Sequence, residues 1–211
     1  MTPRRSTNPV GRPRTGQGAA DTRAQILDRA EVLLGERGYA GMSMDDVARA
    51  AGLTKGTLYH HFGGGKDALI LAVAQRSLER HRDGLSAVIS GAHDVRGQLE
   101  AVADWTLANS GRPERILRDT VRFLPGAHAE ELAQGFMSQV YAQVHDLLRR
   151  GAERGEIGPH DTEFVTWAFL GLLAEFAGLQ HLLAQPHLGR RIVDLLLTGA
   201  ATRHGTAPTG R

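Results

Sequence analysis

The sequence predicts an all-α protein, with a three-helix domain containing a helix-turn-helix near its N-terminus and a bundle of longer helices after it. Apolar residues recur at helical spacing along most of the 211 residues, while alternating runs typical of strands are almost absent. The segment Ser43 to Phe62, SMDDVARAAGLTKGTLYHHF, has the spacing of two short helices joined by a tight turn. These two observations predict the fold class.

The first helix is predicted over AQILDRAEVLLGERG, before the helix-turn-helix. The apolar residues of this helix recur at helical spacing and predict its buried face: Ile26, Leu27, Ala30, Leu33 and Leu34. Gly38 is the expected C-cap, because glycine readily adopts the backbone conformation that ends a helix.

The second and third helices are short and are defined by their caps. Ser43 followed three residues later by Asp46 predicts a capping box, in which the two side chains bind backbone amides of the first turn. Gly52 suits the left-handed turn that ends the second helix. Thr54 then offers an N-cap for the third helix.

The third helix has an inward and an outward face. Leu58 and Phe62, four residues apart, predict the inward stripe. The outward side has small, hydroxyl, aromatic and cationic residues with little acid, which suits a helix that enters the major groove of DNA. The candidate DNA contacts of the segment are Ser43, Thr54, Lys55, Gly56, Thr57, Tyr59, His60 and His61.

Together with Lys66, Ala68 and Leu69, these features resemble the DNA-binding domain of the TetR family of bacterial transcriptional regulators, over Ile26 to Leu71. The resemblance implies that Lys66 and the N-terminus of the fourth helix bind a DNA phosphate. The family usually has two residues between the Phe and the Lys, whereas this chain has three glycines after Phe62. We expect the extra glycine to loosen this junction.

Charge is unequally divided along the chain. Residues 1–67 contain 10 basic and 7 acidic side chains, against 15 and 16 in residues 68–211. Residues 1–20, rich in Pro, Gly, Ser, Thr and Arg, are predicted to form a disordered basic arm. Its VGRPRTG could place Arg12 and Arg14 in an A·T-rich minor groove. The alternative is a solvated tail that adds only a general attraction to DNA, without reading its sequence.

The remaining boundaries follow from composition and periodicity. We predict the DNA-binding domain over residues 21–67, a helical ligand-binding and dimerisation domain over 68–204, and a disordered tail over 205–211. Zero cysteines exclude disulfides and thiol catalysis. The first twenty residues have no apolar run of the secretory type, so a cytoplasmic location is expected. Phe164 to Leu183 is interrupted by Glu175 and is predicted as a buried helix rather than a membrane span.

The last two predicted helices, Asp161 to Leu183 and Leu188 to Ala201, are apolar on more than one face. In the TetR family these helices pair with their copies in a four-helix bundle, so the resemblance implies a homodimer. The alternative is that both faces are buried in one subunit. The candidate interface residues are Phe169, Leu172, Leu173, Phe176, Ile192, Leu195 and Leu196.

The same resemblance implies that the second domain binds a small molecule and thereby changes the spacing of two DNA-binding heads. Aromatic and methionine side chains on the predicted helices are the candidates for the cavity wall, although such residues are also ordinary core material. They are Trp105, Phe123, Met137, Tyr141, His145, Trp167 and Phe176.

Catalytic and cofactor sites are not indicated. The nucleophile-elbow, dinucleotide-binding and zinc-protease motifs are absent, and Gly63 to Lys66 lacks the Ser or Thr of a phosphate-binding loop. No metal or cofactor is therefore predicted, and the predicted function is a repressor released from a palindromic operator by a small-molecule effector. Two rivals stay open: a constitutive architectural DNA binder, and an enzyme or ligand carrier that has kept the fold.

Overall fold

The structure, a computed structural model, describes residues 15–110, 124–179 and 186–199. The regular elements in these ranges are all helices, which confirms the predicted all-α fold. In chain order they are α1 (Thr15–Gly41), α2 (Met44–Ala50), α3 (Lys55–His61), α4 (Gly65–Ser90), α5 (Val95–Asn109), α6 (Gly126–Phe136), a π-helical turn (Met137–Tyr141), α7 (Ala142–Glu153), α8 (Thr162–Leu179) and α9 (Leu188–Thr198).

Helix α1 begins at Thr15, so residues 15–20 are helical where the sequence predicted a disordered arm. The alanines of GQGAAD favour a helix, and the hydroxyl of Thr22 donates to the carbonyl of Gly18 over 2.7 Å. At its other end the regular helix is interrupted at Gly38, where φ is 68° and ψ is 178°. This confirms the helix end predicted there.

The first three helices and the first turns of α4 share one core. Ile26, Leu34, Val47, Leu58 and Leu69 are fully buried in it. Burial of one such side chain stabilises the fold by about 1.5–3 kcal/mol. We call this unit, residues 15–74, the head, and the remaining described residues the second domain.

Helix α4 belongs to both units. Its residues up to Ala74 lie in the core of the head, whereas Leu85 lies in the core of the second domain. Leu124 and Leu132, which come from the second domain, also pack into the head. The boundary predicted after residue 67 therefore falls inside a continuous helix, and the two units are joined by direct packing.

The second domain is organised around α5, which packs against α4, α7, α8 and α9. Two glycines permit close helix contacts there. A Cβ at Gly84 would lie 2.0 Å from Cζ2 of Trp105, and a Cβ at Gly151 would lie 2.4 Å from Cγ2 of Val95. Since real side chains do not approach so closely, any larger residue at either position would push α5 away from its neighbour.

Helix α6 continues into α7 through the π-helical turn. Before the turn, Leu132 packs into the head, and from the turn onwards Val140, Val144 and Leu148 pack into the second domain. The π turn thus lies where one helical segment passes from one core to the other.

Among the described residues, α8 is the one helix long and apolar enough to cross a membrane, and 22% of its span is buried in this chain. Phe169, Leu173 and Ala177 face the core. On other sides, Phe164 is 70% exposed and Trp167 is 45% exposed. The prediction of a buried helix is therefore wrong for this outer face, because one chain supplies a partner for only one side of α8.

Candidate DNA-binding surface

Helix α2 opens with the predicted capping box. The Asp46 amide donates to Ser43 Oγ over 3.1 Å, and the Ser43 amide donates to Asp46 Oδ2 over 3.2 Å. The hydrogen bond from the Ser43 hydroxyl is the main reason that the pKa of Asp46 lies below its ordinary value. Ser43 is exposed, but its hydroxyl already donates to Asp46 Oδ2 over 2.6 Å. Its side chain therefore positions α2.

The turn between α2 and α3 has the predicted geometry. Gly52 adopts a left-handed φ of 66°, and the amide of Leu53 donates to the carbonyl of Ala48 over 2.9 Å. Thr54 then caps α3, with its Oγ1 accepting a hydrogen bond from the Thr57 amide over 3.1 Å. These contacts fix the angle at which α3 leaves the turn.

Helix α3 turns one side inward and leaves the other to solvent. Leu58 and Phe62 are 0% and 4% exposed, as their spacing predicts. Among the described residues, and apart from the backbone of α3 and the adjacent residues, the nearest atom to a Cβ built on Gly56 is Oγ1 of Thr54, at 3.8 Å, so packing within this part of the chain does not require glycine there. The missing side chain leaves room for DNA to approach the helix closely. The exposed residues are Lys55, Gly56, Tyr59 and His60, and the half-buried ones are Thr57 and His61.

Lys55 is paired with a residue of the preceding helix. Its Nζ lies 2.9 Å from Oδ1 of Asp45 and 3.1 Å from Oδ2. The hydrogen bond and the charge of Asp45 raise the pKa of Lys55. The two side chains are 63% and 54% exposed. A carboxylate therefore lies on the surface predicted to meet DNA, although Asp45 was not among the predicted site residues.

Lys66 contacts its own chain. Its Nζ lies 3.9 Å from the centre of the Tyr39 ring and donates to the Tyr39 carbonyl. The Tyr39 hydroxyl donates to Oδ1 of Asp67 over 2.5 Å, and this bond raises the pKa of Tyr39. Burial lowers the pKa of Lys66, and the charge of Asp67 opposes that effect. The phosphate contact of Lys66 stays a prediction, since in this structure the ammonium group is bound to Tyr39.

Gly63, Gly64 and Gly65 form a tight turn that leads into α4. Gly65 has a left-handed φ of 71°, and its amide donates to the carbonyl of Phe62 over 2.9 Å. A Cβ at Gly64 would lie 2.9 Å from the Cβ of Ala68. The chain accommodates its extra residue in a backbone conformation that favours glycine, so the junction is more defined than the sequence suggested.

Two contacts join α1 to the helix-turn-helix, and no sequence motif predicts them. Nε2 of Gln25 donates to the carbonyl of Ala51 over 2.9 Å. The guanidinium of Arg23 lies 5.1 Å from the centre of the Phe62 ring. Both bring distant residues to the ends of α2 and α3, and Arg23 adds an exposed cation to the head.

A group of ion pairs holds α1 against α4. Arg76 contacts Asp28 and Glu31, and Arg80 contacts the other oxygen of Glu31, each over 2.7 Å. The side chains of Arg76 and Glu31 are 21% and 20% exposed. Burial raises the pKa of Glu31, but the hydrogen bonds and charges of Arg80 and Arg76 outweigh it, so the pKa is lowered. We call these four residues the α1–α4 ion-pair group.

The predicted effector-binding residues lie in separate places. Trp105 packs edge-on against His81, with ring centres 5.3 Å apart, between α4 and α5. Phe176 is half-buried beside the second core, and Phe123 lies outside the described residues. A cavity of about 420 Å³ has none of the predicted residues in its wall. It is lined by Asp94, Val95, Arg96, Glu156, Ile157, Gly158 and Leu197.

Three of the other four predicted effector residues, Tyr141, His145 and Trp167, form a group of contacting rings in the second domain. Tyr141 lies between Trp167 and His145, with ring centres 4.9 Å and 5.7 Å away. Met137, four positions before Tyr141 in the π turn, is 41% exposed. Desolvation raises the pKa of Tyr141, with smaller contributions from the charges of Glu163 and Asp161. The structure thus brings Tyr141, His145 and Trp167 together, with Tyr141 and His145 half-buried and Trp167 exposed.

The predicted interface residues differ in their burial within the single chain. Phe169, Leu173 and Ile192 are 0%, 1% and 3% exposed and belong to the core of this chain, so their assignment to an interface is wrong. Leu195 is 47% exposed. Helical periodicity shows that a helix has two apolar faces but not which of them its own chain covers. The half-buried members are Leu172, Phe176 and Leu196.

The remaining predictions concern the minor-groove contact of the basic arm and the binding of a metal ion. Arg12 and Arg14 lie outside them, so the minor-groove contact of the arm stays a prediction. Within the described ranges, no group of three or more His, Asp or Glu side chains is placed to hold a metal ion.

The head coincides with a known family domain. Residues 26–73 match the family described as bacterial regulatory proteins, tetR family. The chain contains a TetR-family DNA-binding domain. Its family domain extends from α1 to the part of α4 that packs into the head. The match indicates a DNA-binding transcriptional regulator, and the exposed face of α3 stays the predicted recognition face.

Other TetR-family proteins resemble the chain beyond this domain. It is 26% identical to the HTH-type transcriptional regulator UidR of Escherichia coli K12 over 141 residues, 67% of this chain and 71% of that protein. It is 32% identical to the HTH-type transcriptional repressor KstR2 of Rhodococcus jostii over 85 residues, 40% of this chain and 41% of that protein. These relatives are transcriptional regulators rather than enzymes.

The second domain also shares its fold with solved structures. The structure of the transcriptional regulator FadR from Bacillus subtilis, in complex with stearoyl-CoA, matches with a TM-score of 0.75. It is 18% identical to this chain and covers 84% of it, and 99% of that protein is matched. The similarity shows a shared fold for the head and the second domain.

Proposed function

We propose that this protein is a cytoplasmic repressor that binds a palindromic operator as a homodimer and leaves it when a small-molecule effector binds the second domain. The exposed face of α3, with Lys55, Gly56, Tyr59 and His60, is the observation that supports operator recognition. The similarity to a relative named as a repressor supports the direction of regulation.

The proposed dimer rests on the outer apolar surface of α8 and α9. Phe164, Trp167 and Leu195 are 70%, 45% and 47% exposed in the single chain. Exposed apolar side chains on adjacent long helices favour burial against a second copy. A two-fold dimer would present two α3 helices to two half-sites, about one helical turn or a multiple of it apart.

The proposed release by an effector rests on the shared helices. Helix α4 contributes to both cores, and α6 places Leu132 in the head. A ligand that favours another packing of the second domain would therefore move the head directly. The FadR structure contains stearoyl-CoA, so long-chain acyl-CoA thioesters are the first compounds to test.

The test is selection of DNA from a random pool with the purified protein, followed by footprinting of the selected sequence. We expect a palindrome, and a fall in affinity when the effector is added from a panel that starts with acyl-CoA thioesters of different chain length. An asymmetric footprint would contradict the dimer. Binding that no compound releases would favour the architectural role, and turnover of a compound would favour an enzyme.

A further inference from the structure

The ion pair between Lys55 and Asp45 lies at the point where α2 and α3 meet the solvent. Lys55 is the first residue of α3, and Asp45 lies in the first turn of α2. In a helix-turn-helix the second helix enters the major groove while the first crosses the DNA backbone. Both side chains are therefore on the side of the head that approaches DNA phosphates.

Asp45 has no role in the fold comparable to that of its neighbour. Asp46 closes the capping box and also pairs with Arg49 at 3.0 Å. Asp45 contacts only Lys55 among the hydrogen bonds and ion pairs described for it, and its side chain is 54% exposed. Exposed ion pairs contribute little to stability. The effect of the Asp45 carboxylate is therefore to be sought at the DNA surface.

A carboxylate in this place affects two kinds of complex differently. Binding to non-specific DNA depends on attraction between basic side chains and phosphates. Asp45 weakens this attraction, because it repels phosphate and occupies the ammonium group of Lys55. In the operator complex α3 is seated in the groove, where phosphate oxygens or the O6 and N7 acceptors of guanine can replace the carboxylate as partners of Lys55.

We propose that Asp45 is a specificity-determining residue. While the protein is on non-specific DNA, Asp45 keeps Lys55 in an ion pair and away from phosphate, and it releases Lys55 only when α3 is seated on the operator. This inference rests on the proposed function, since it needs an operator to compare with other DNA. In a dimer the pair occurs in both heads, so its effect on non-specific binding is exerted twice.

The test compares the wild-type protein with Asp45→Asn on the selected operator and on a scrambled duplex of equal length, over a range of salt concentrations. We expect the variant to bind the scrambled duplex roughly tenfold more tightly and the operator less than about threefold more tightly. On the scrambled duplex the salt slope should steepen by about 0.9 per head, because Lys55 becomes free to contact phosphate.

Two further variants separate the causes. Asp83→Asn removes another exposed carboxylate, which contacts Arg82 at 2.8 Å on α4, and should leave the ratio of operator to scrambled affinity unchanged. In a Lys55→Met background, Asp45→Asn should no longer steepen the salt slope. Asp45→Ser serves as a second variant if thermal unfolding shows that Asp45→Asn disturbs the head.

Three results would overturn the inference: an unchanged affinity ratio in Asp45→Asn, an equal change in Asp83→Asn, or a steeper slope that persists without Lys55. The last result would mean that Asp45 repels phosphate without holding Lys55. If the wild-type protein selects no DNA sequence at all, the proposed function fails, and this result is distinct from an unchanged ratio.

Discussion

The ammonium group of Lys66 lies 3.9 Å from the centre of the Tyr39 ring, across the junction between the end of α1 and the start of α4. The same ammonium group donates a hydrogen bond to the Tyr39 carbonyl, so Tyr39 supplies both partners of Lys66 Nζ. A cation over an aromatic face contributes about 0.5–2 kcal/mol, depending on its solvation. The contact therefore fixes the start of α4 against the rest of the head.

Lys66→Met should lower the melting temperature of the head, since it removes both the hydrogen bond and the cation over the ring. Lys66→Arg should retain most of the stability, because a guanidinium also stacks on aromatic rings. The salt slope of operator binding in Lys66→Met tests the predicted phosphate contact, and an unchanged slope would contradict that contact. A slope lower by about 0.9 per head would instead show that Lys66 leaves Tyr39 to contact a phosphate.

His60→Ala should weaken operator binding unevenly across single-base variants of the operator. His60 is exposed on the outward face of α3, so its loss should cost roughly 1–3 kcal/mol where it contacts a base. Binding titrations against each operator variant measure the effect. His93→Ala, at an exposed position after α4, is the control and should change nothing. A uniform loss across all variants would mean that His60 does not read bases.

Leu195→Glu and Phe164→Glu should yield folded monomers in sedimentation experiments. Both side chains are exposed in the single chain, so a charge there disturbs a second copy without entering the core. Val32→Glu is the matched control, because Val32 is 49% exposed on α1 and should leave the dimer intact. Ile192→Glu should instead unfold the second domain, since Ile192 is 3% exposed. Dimers that persist in both test variants would place the interface elsewhere.

Gly65→Ala should destabilise the protein by roughly 1–2 kcal/mol, the cost of a left-handed conformation for a residue with a Cβ. The φ of Gly65 is 71°. Gly63→Ala should cost much less, because a Cβ there would lie 3.7 Å from the carbonyl oxygen of Tyr59, an ordinary contact. Chemical denaturation of both variants tests the difference. Equal effects would show that the turn before α4 is not held in this conformation.

The α1–α4 ion-pair group should make stability depend on acid pH. The pKa of Glu31 in the folded protein is lowered from an ordinary value of 4.5, despite the burial that raises it, because Arg80 and Arg76 favour the carboxylate. The contribution of the Glu31 carboxylate to the free energy of unfolding is therefore fully present above the pKa that Glu31 has in the unfolded chain. This contribution is lost as the pH falls through the lower pKa that Glu31 has in the folded protein. Melting temperatures of the wild type and Glu31→Gln should differ at about pH 7 and converge below about pH 4.

Glu36→Gln, an exposed change on the same helix, is the control for this pH series and should follow the wild type throughout. A constant difference between wild type and Glu31→Gln over the whole series would mean that Glu31 stabilises the head by packing rather than by charge.

The helix-turn-helix could be predicted from the sequence because its determinants are local. The caps at Ser43 and Thr54 and the turn at Gly52 depend on residues within a few positions of each other. The partners of the two lysines could not be predicted in this way. Asp45 lies 10 positions from Lys55, and Tyr39 lies 27 positions from Lys66, so only the fold brings them together.

The outer surface of the second domain was predicted less well for a different reason. Periodicity indicated that α8 and α9 are apolar on two sides, but Phe169, Leu173 and Ile192 proved to be core while Phe164 and Trp167 are exposed. Which side is covered depends on where α5 packs, and this is a property of the tertiary structure.

The π turn between α6 and α7 makes the length of this segment critical. In an α-helix each residue advances the side chains by about 100° around the axis, whereas a π turn takes up one extra residue with little added rotation. Deletion of Ser138 should therefore let the segment close as a continuous α-helix, with Leu132 and Val144 still facing their own cores. Insertion of a residue after Ser138 would instead exceed what the π turn takes up and rotate α7 against α6, so that one helical segment could no longer pack into both cores at once.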